Sequence, residues 1–250
     1  MGENSYLPIF IMGYQERTYR NRVSHHNLIP FHVCVRETDL FILSDSDLTE
    51  SSLQSIYIHR GFIESYIKVH PDFLTSLVPV DEDRLAPSIV RDMMKASRDA
   101  GVGPMASVAG AIAEYVGNDL LMSSRNVIVE NGGDIFLNTD RDIKVAIYAG
   151  DSPLSYHVGI LLKREKMPFG VCTSSGTVGH SLSFGNADAV CVISKSSIMA
   201  DAAATAIGNL VKSKKDIKMA LERGIQIKGV SGILVIVGDN LGAIGEIELI

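Results

Sequence analysis

VIVENGGDIFLN, Val127–Asn138, holds two short apolar runs, Val127–Glu130 and Ile135–Asn138, joined by Asn131-Gly-Gly-Asp134. Asn-Gly between such runs is the strongest short-range hairpin signal, because both central residues of the tight turn need a positive φ. The stretch reads as two antiparallel strands. Downstream, Lys144–Ala149, Val158–Lys163, Gly170–Thr173 and Ala189–Ser194 repeat the pattern, separated by Gly, Asn, Asp and Pro. Upstream, Phe31–Ser44 alternates apolar and polar residues and then turns wholly apolar, as a bent or paired strand does. The C-terminal residues 221–250 hold β-branched runs split by glycine and read as a closing hairpin or meander.

Helical patterns bracket these strands. Asp47–His70 opens with an Asp/Thr/Glu cluster and carries Leu53, Ile56, Ile63 and Ile67 at roughly helical spacing. Pro71–Val80 is a connection. Pro87–Ala100 has proline in its first turn and Gly101 just past its end. Ala106–Val116 is rich in small residues, which permits close packing, and Ile198–Lys212 is an alanine-rich helix that Lys214–Glu222 continues. Strands and helices do not alternate regularly, so the fold class is α+β, an antiparallel sheet with packed helices, in one domain over residues 1–250.

Composition narrows the function. The chain has 250 residues, 46% hydrophobic and 21% charged, and a net charge of −6 without a basic block. With no tryptophan and 6% aromatics it offers neither the charge nor the stacking platform that nucleic acid requires. Its longest apolar stretches, Met105–Ala113 and Ile233–Val237, are far shorter than a membrane span. Met1–Tyr14 lacks the pattern of a signal peptide, and Tyr6 stands where a myristoylation motif wants Ser or Thr, so a cytoplasmic location is expected.

Four motifs are candidates for chemistry. Gly101-Val-Gly103-Pro-Met-Ala106 has dinucleotide-fingerprint spacing but follows a helical pattern, not a strand, and reads as a helix stop and start. Gly132, Gly133 and Asp134 are either a plain turn or a place where backbone approaches a ligand beside a carboxylate. Thr173, Ser174, Ser175 and Gly176 follow a strand and offer hydroxyls and amides to phosphate or ribose oxygens. Cys172 before them is either a nucleophile with His180 as base or a buried strand cysteine. Asp201 and Thr205 stand four apart, so on a helix their oxygens share one face. That hard-ligand pair suits Mg2+, or else Asp201 serves a helix N-terminus and Thr205 bonds its own helix.

Taken in order, Gly110-Ala-Ile-Ala113, VENGGDI ending at Ile135, Thr173-Ser-Ser-Gly176, His180 and Ala200-Asp-Ala-Ala-Ala-Thr-Ala206 resemble the ApbE superfamily, whose characterised members are FAD:protein FMN transferases. ENGGDIFLN, TSSGTVGHSLSFGNADAV and ADAAATAIGN more closely resemble its archaeal and bacterial ApbE-like branch. The resemblance implies a T-fold-related α+β domain with Mg2+ on Asp201 and Thr205 and a backbone carbonyl near Ala111, beside the diphosphate of FAD or a related nucleotide. It places Gly132, Gly133 and Asp134 in the nucleotide pocket with Thr173–Gly176 opposite, and makes a protein acceptor the partner. It also implies an alternative: a non-transferase factor in anaerobic sulfur assimilation toward homocysteine, acting with sulfur-pathway proteins, with Cys172 as a sulfur carrier. The oligomeric state stays open between monomer and homo-oligomer.

The chain departs from the family at Glu114, where relatives hold a lysine, and lacks the Asp-Pro stretch after the histidine. A carboxylate facing a diphosphate would repel it, so Glu114→Lys is expected to tighten FAD binding, unless Glu114 lies on the solvent face of its helix.

Cys34, Cys172 and Cys191 are odd in number and widely spaced, which excludes a disulfide framework and any CxxC motif; they are expected to be reduced and mostly buried. Thiol titration of the denatured, unreduced protein should find all three free; a lower count would mean a disulfide.

Overall fold

The computed structural model describes residues 27–176 and 184–250. The expectations placed on Met1–Tyr14, and that placed on His180, lie outside them. Strand β1 (Ile29–Val35) and β2 (Thr38–Ser44) form a hairpin, so the bent-or-paired stretch is a pair. Helices α1 (Thr49–Val69), α2 (Asp72–Thr75), α3 (Ser88–Ala100) and α4 (Val108–Leu120) follow. Then come β3 (Val127–Asn131), β4 (Asp134–Asn138), β5 (Ile143–Ala146), β6 (Gly159–Leu162), β7 (Phe169–Ser174) and β8 (Ala189–Ser194). Helices α5 (Ser197–Leu210) and α6 (Ile217–Gly224) precede the closing hairpin β9 (Val230–Val237) and β10 (Asn240–Gly245).

Local chemistry explains most of these ends. The Asp47 carboxylate accepts from the Thr49 N–H (3.0 Å) and hydroxyl (2.6 Å) at the start of α1. Gly101 closes α3 with φ +73°, a left-handed conformation that suits glycine. The connection after α1 contains the short α2, and α4 is preceded by a 3-10 turn over Pro104–Ser107. Lys214–Glu222 does not continue α5. The chain breaks at Val211, and Ser213 and Asp216 form a capping box that starts a new turn.

Among the described residues, eight strands form one sheet in the order β1-β2-β3-β4-β7-β8-β9-β10, every neighbour antiparallel. Strands β5 and β6 leave this sheet and pair with each other. Helices pack against one face, with Ile56, Met93, Val116 and Phe136 in that core. The opposite face of the central strands buries Leu137, Val171, Cys191 and Leu234 together with Ile143 and Ile160 of the β5–β6 pair. Both faces of β8 are therefore covered, which is why all six of its residues are buried and its sequence, AVCVIS, does not alternate in polarity. Successive side chains alternate between the faces, so Asp134, Phe136 and Cys172 all point to the helical side. Among the described residues no helix is long and apolar enough to cross a membrane.

Helix α4 lies close on the sheet because it carries glycine at its contacts. A Cβ on Gly117 would sit 2.2 Å from the ring of Phe136, which is 2% exposed. Alanine favours a helix over glycine by up to ~1 kcal/mol, whereas overpacking a core costs about 1–3 kcal/mol. Gly117→Ala should thus lower stability in chemical denaturation; a stabilised variant would show that the ring has room to move.

Candidate functional site

The NGGD segment is a two-residue hairpin turn, with Asn131 opposite Asp134 and φ of +69° at Gly132 and +102° at Gly133. The turn is held on three sides. The Gly133 N–H donates to the Glu130 carboxylate at 2.7 Å. The Asn131 side-chain amide donates to the Ala109 carbonyl at 3.1 Å, tying the turn to the start of α4. The Thr173 N–H of β7 donates to the Gly133 carbonyl at 3.2 Å.

Two further contacts close the ring. The Gly110 N–H donates to the Asp201 carboxylate at 2.8 Å, joining α4 to α5, and the Ala109 N–H also supports that carboxylate. The Cys172 thiol lies opposite Asp134 in the sheet and donates to the Ser197 carbonyl at 3.3 Å, joining β7 to α5. The structure thus brings Gly132, Gly133, Asp134, Cys172, Thr173 and Asp201 into one cluster, with the fully buried Ala111 one residue beyond Gly110. Thr205 stands one helical turn after Asp201 on α5, and its hydroxyl makes no hydrogen bond among the described residues. Ser174 ends β7. The Gly176 N–H is already used on the Ala187 carbonyl at 2.9 Å, and a Cβ there would lie 2.1 Å from the Gly185 carbonyl oxygen. Glu130 and Asn131 were missed as site residues, although both stand inside the VENGGD stretch. A separate groove of about 300 Å3 beside Lys166, Phe169, Lys195 and Glu246 contains none of these residues.

Electrostatics sets the cluster apart. Burial pushes the Asp201 carboxyl up to about 7. Burial and then the charge of Asp201 hold the Asp134 carboxyl well above the usual range, against the Cys172 hydrogen bond that lowers it. Burial followed by the two carboxylates likewise pushes the Cys172 thiol far up. A thiol so placed, with no exposed surface, resists ionisation and access, so its surroundings favour the buried strand cysteine over the nucleophile or sulfur carrier. Cys191 is also buried, whereas Cys34 is exposed, against the expectation of mostly buried thiols; all three are free.

Glu114 contradicts both expectations placed on it. It neither faces the cluster nor lies in solvent. Its carboxylate accepts from the Ser196 hydroxyl at 2.8 Å and the Ile198 N–H at 3.2 Å, at the start of α5. A lysine there would put a cation at the positive end of a helix, so the expected tightening by Glu114→Lys is withdrawn.

The family model described as "AbpE bacteria" matches residues 20–247. The chain belongs to that family. Among this ApbE-like protein's relatives, a UPF0280 protein of Methanocaldococcus jannaschii is 47% identical over 221 residues, covering 86% of this chain and 90% of the relative. One from Methanococcus aeolicus is 44% identical, covering 86% and 89%. Among solved structures, the apo form of Pseudomonas stutzeri flavinyl transferase ApbE aligns with a TM-score of 0.54 at 15% identity, covering 87% of this chain and 94% of that one. At that identity the likeness establishes the fold.

The cluster fits a hard divalent cation by its donors. Among the described residues no three His, Cys, Asp or Glu side chains converge on a metal position. An ion here would take one or two carboxylates with hydroxyl, carbonyl and water oxygens, the set Mg2+ favours over soft metals. The buried Asp134 carboxylate, in the field of the half-buried Asp201, also gains from a positive charge beside it.

The raised Asp201 value has a stability consequence. Between its unfolded value near 3.8 and about 7, the folded state holds a proton that the unfolded state has lost. Stability contributed by this group therefore falls as pH rises from about 4 to 7, by an amount on the order of a few kcal/mol. Urea denaturation in EDTA at pH 5 and pH 7.5 should show this loss, and Asp201→Asn should flatten it; an equal slope in the variant would clear Asp201 of the effect.

Proposed function

We propose that this chain binds FAD or a related flavin nucleotide together with Mg2+ at the cluster between the NGGD turn and α5, and that its chemistry is attack on the diphosphate, with FMN transfer to a protein acceptor. The observation that carries this reading is the convergence, at the start of a helix, of a glycine turn with the buried Asp134 carboxylate and the half-buried Asp201 carboxylate. The likeness in fold to a protein described as a flavinyl transferase supports it.

In this reading Asp201 and Thr205, with a carbonyl near Ala111, hold the ion, which offsets charge on the diphosphate. The glycines at 132 and 133 leave the turn without side chains, so backbone can approach the nucleotide closely. Glu130 fixes that turn through the Gly133 N–H, and Asp134 stands beside it on the helical side of the sheet. Thr173, Ser174, Ser175 and Gly176 form the wall opposite. In the transfer, an acceptor hydroxyl oxygen forms the new bond to the flavin-side phosphorus, AMP leaves with the bridging oxygen, and the hydroxyl proton passes to a base or to water. His180, the base in the family pattern, lies outside the described residues. A cytoplasmic location forms part of this proposal. No observation supports sulfur delivery, because the one cysteine in the cluster is sealed.

Calorimetric titration with FAD should show binding that needs Mg2+ and is lost in EDTA. Asp201→Ala should weaken it about tenfold or more, a change of ~1.4 kcal/mol per decade. Incubation with FAD, Mg2+ and a flavin-acceptor protein should yield a covalently fluorescent product. Affinity indifferent to both Mg2+ and Asp201 would overturn the metal assignment, and absence of any FAD or ADP binding would overturn the nucleotide reading.

A further inference from the structure

We infer that Glu114 is a positioning residue for the Asp201–Thr205 face of α5, acting through the start of that helix and not on any bound ligand. Glu114 and Gly110 are one turn apart on α4, so both face the same neighbour. Gly110 makes the crossing close: a Cβ there would lie 2.3 Å from the Ser197 carbonyl oxygen and 2.8 Å from the Asp201 Cβ. At this crossing each helix gives a carboxylate to the other's first turn. Asp201 of α5 accepts from the Gly110 N–H at 2.8 Å, with support from Ala109, at the start of α4. Glu114 of α4 accepts from the Ser196 hydroxyl at 2.8 Å and the Ile198 N–H at 3.2 Å, with support from the Ser197 N–H, at the start of α5.

The first N–H groups of a helix have no partner within it, and a carboxylate there also meets the positive end of the helix dipole. Ser196 strengthens the link, since its hydroxyl donates to Glu114 while accepting from the Met199 N–H at 3.4 Å. Helix α5 therefore cannot slide or turn on α4 without releasing both caps together. Asp201 and Thr205 lie one and two turns beyond the Glu114 contact, so the cap fixes where their oxygens stand. What those oxygens do rests on the nucleotide reading above; how they are held does not.

Amide hydrogen exchange separates the two. In Glu114→Ala, exchange should speed about tenfold at Ile198 and also at Ala109 and Gly110, whose N–H groups serve the Asp201 carboxylate and not that of Glu114. Glu114→Gln, whose amide oxygen still accepts, should restore protection at all three. If the alanine variant does not fold, Glu114→Asp, one methylene shorter, takes its place with the same expectation. Faster exchange confined to Ile198, with Ala109 and Gly110 unchanged, would reduce Glu114 to a plain cap and overturn the proposal. FAD titration with Mg2+ supplies the second readout: the alanine variant should bind at least tenfold more weakly and the glutamine variant within about threefold of the parent. A folded alanine variant with parental affinity would also overturn it. If the parent itself binds no FAD, the nucleotide reading fails, and the exchange result alone decides the positioning role.

Discussion

The start of a buried helix is an unmet demand for hydrogen-bond acceptors, and in this protein two helices meet that demand for each other. Glu114 answers the first amides of α5, and Asp201 answers those of α4. The exchange works only because the crossing is stripped of bulk. Gly110 removes the side chain that would collide with Ser197, and Ala200, Ala202, Ala203 and Ala204 keep α5 thin where it presses on the sheet. Gly170 does the same from below, where a Cβ would lie 2.3 Å from the Ser197 nitrogen. Small residues bring the backbones close, and closeness lets two carboxylates reach across.

That arrangement leaves a charge problem at its centre. Asp134 and Asp201 are both driven toward the protonated form by burial, and the charge of Asp201 further disfavours ionisation of Asp134. A fold shaped only for stability would avoid such a pair, since uncompensated buried charge costs several kcal/mol. Departures of this kind concentrate where a protein binds or reacts. The same field keeps the Cys172 thiol protonated, so one electrostatic environment both recommends the carboxylates as ligands and argues against the sulfur as a reagent.

Much of the fold was legible in residues 127–250 because local chemistry set its boundaries. The Asn131-Gly-Gly-Asp134 turn allows only positive φ at its centre, and Gly101 ends α3 for the same reason. Other features were less visible. A short apolar run such as β8 does not say what covers each of its faces, which depends on β5 and β6 leaving the sheet to pack on its far side. The end of α5 at Val211 was hidden because Lys214–Glu222 has helical character of its own.

The site divides along the same line. Residue order and type determined that a glycine turn, a hydroxyl-rich strand end and an Asp-x-x-x-Thr pair exist, and that each suits an oxygen-rich ligand. Spacing along a helix placed Asp201 and Thr205 one turn apart. Only the tertiary structure decided that Glu130 and Asn131 brace the turn, that Cys172 is closed off, and that Glu114 faces a helix end. Those outcomes turn on contacts between segments up to 91 residues apart, such as Gly110 with Asp201. A carboxylate's role follows from what faces it. For Glu114 that neighbour is the first turn of α5, brought within hydrogen-bonding reach by the absence of a side chain at Gly110 and not by any signal beside Glu114 in the chain.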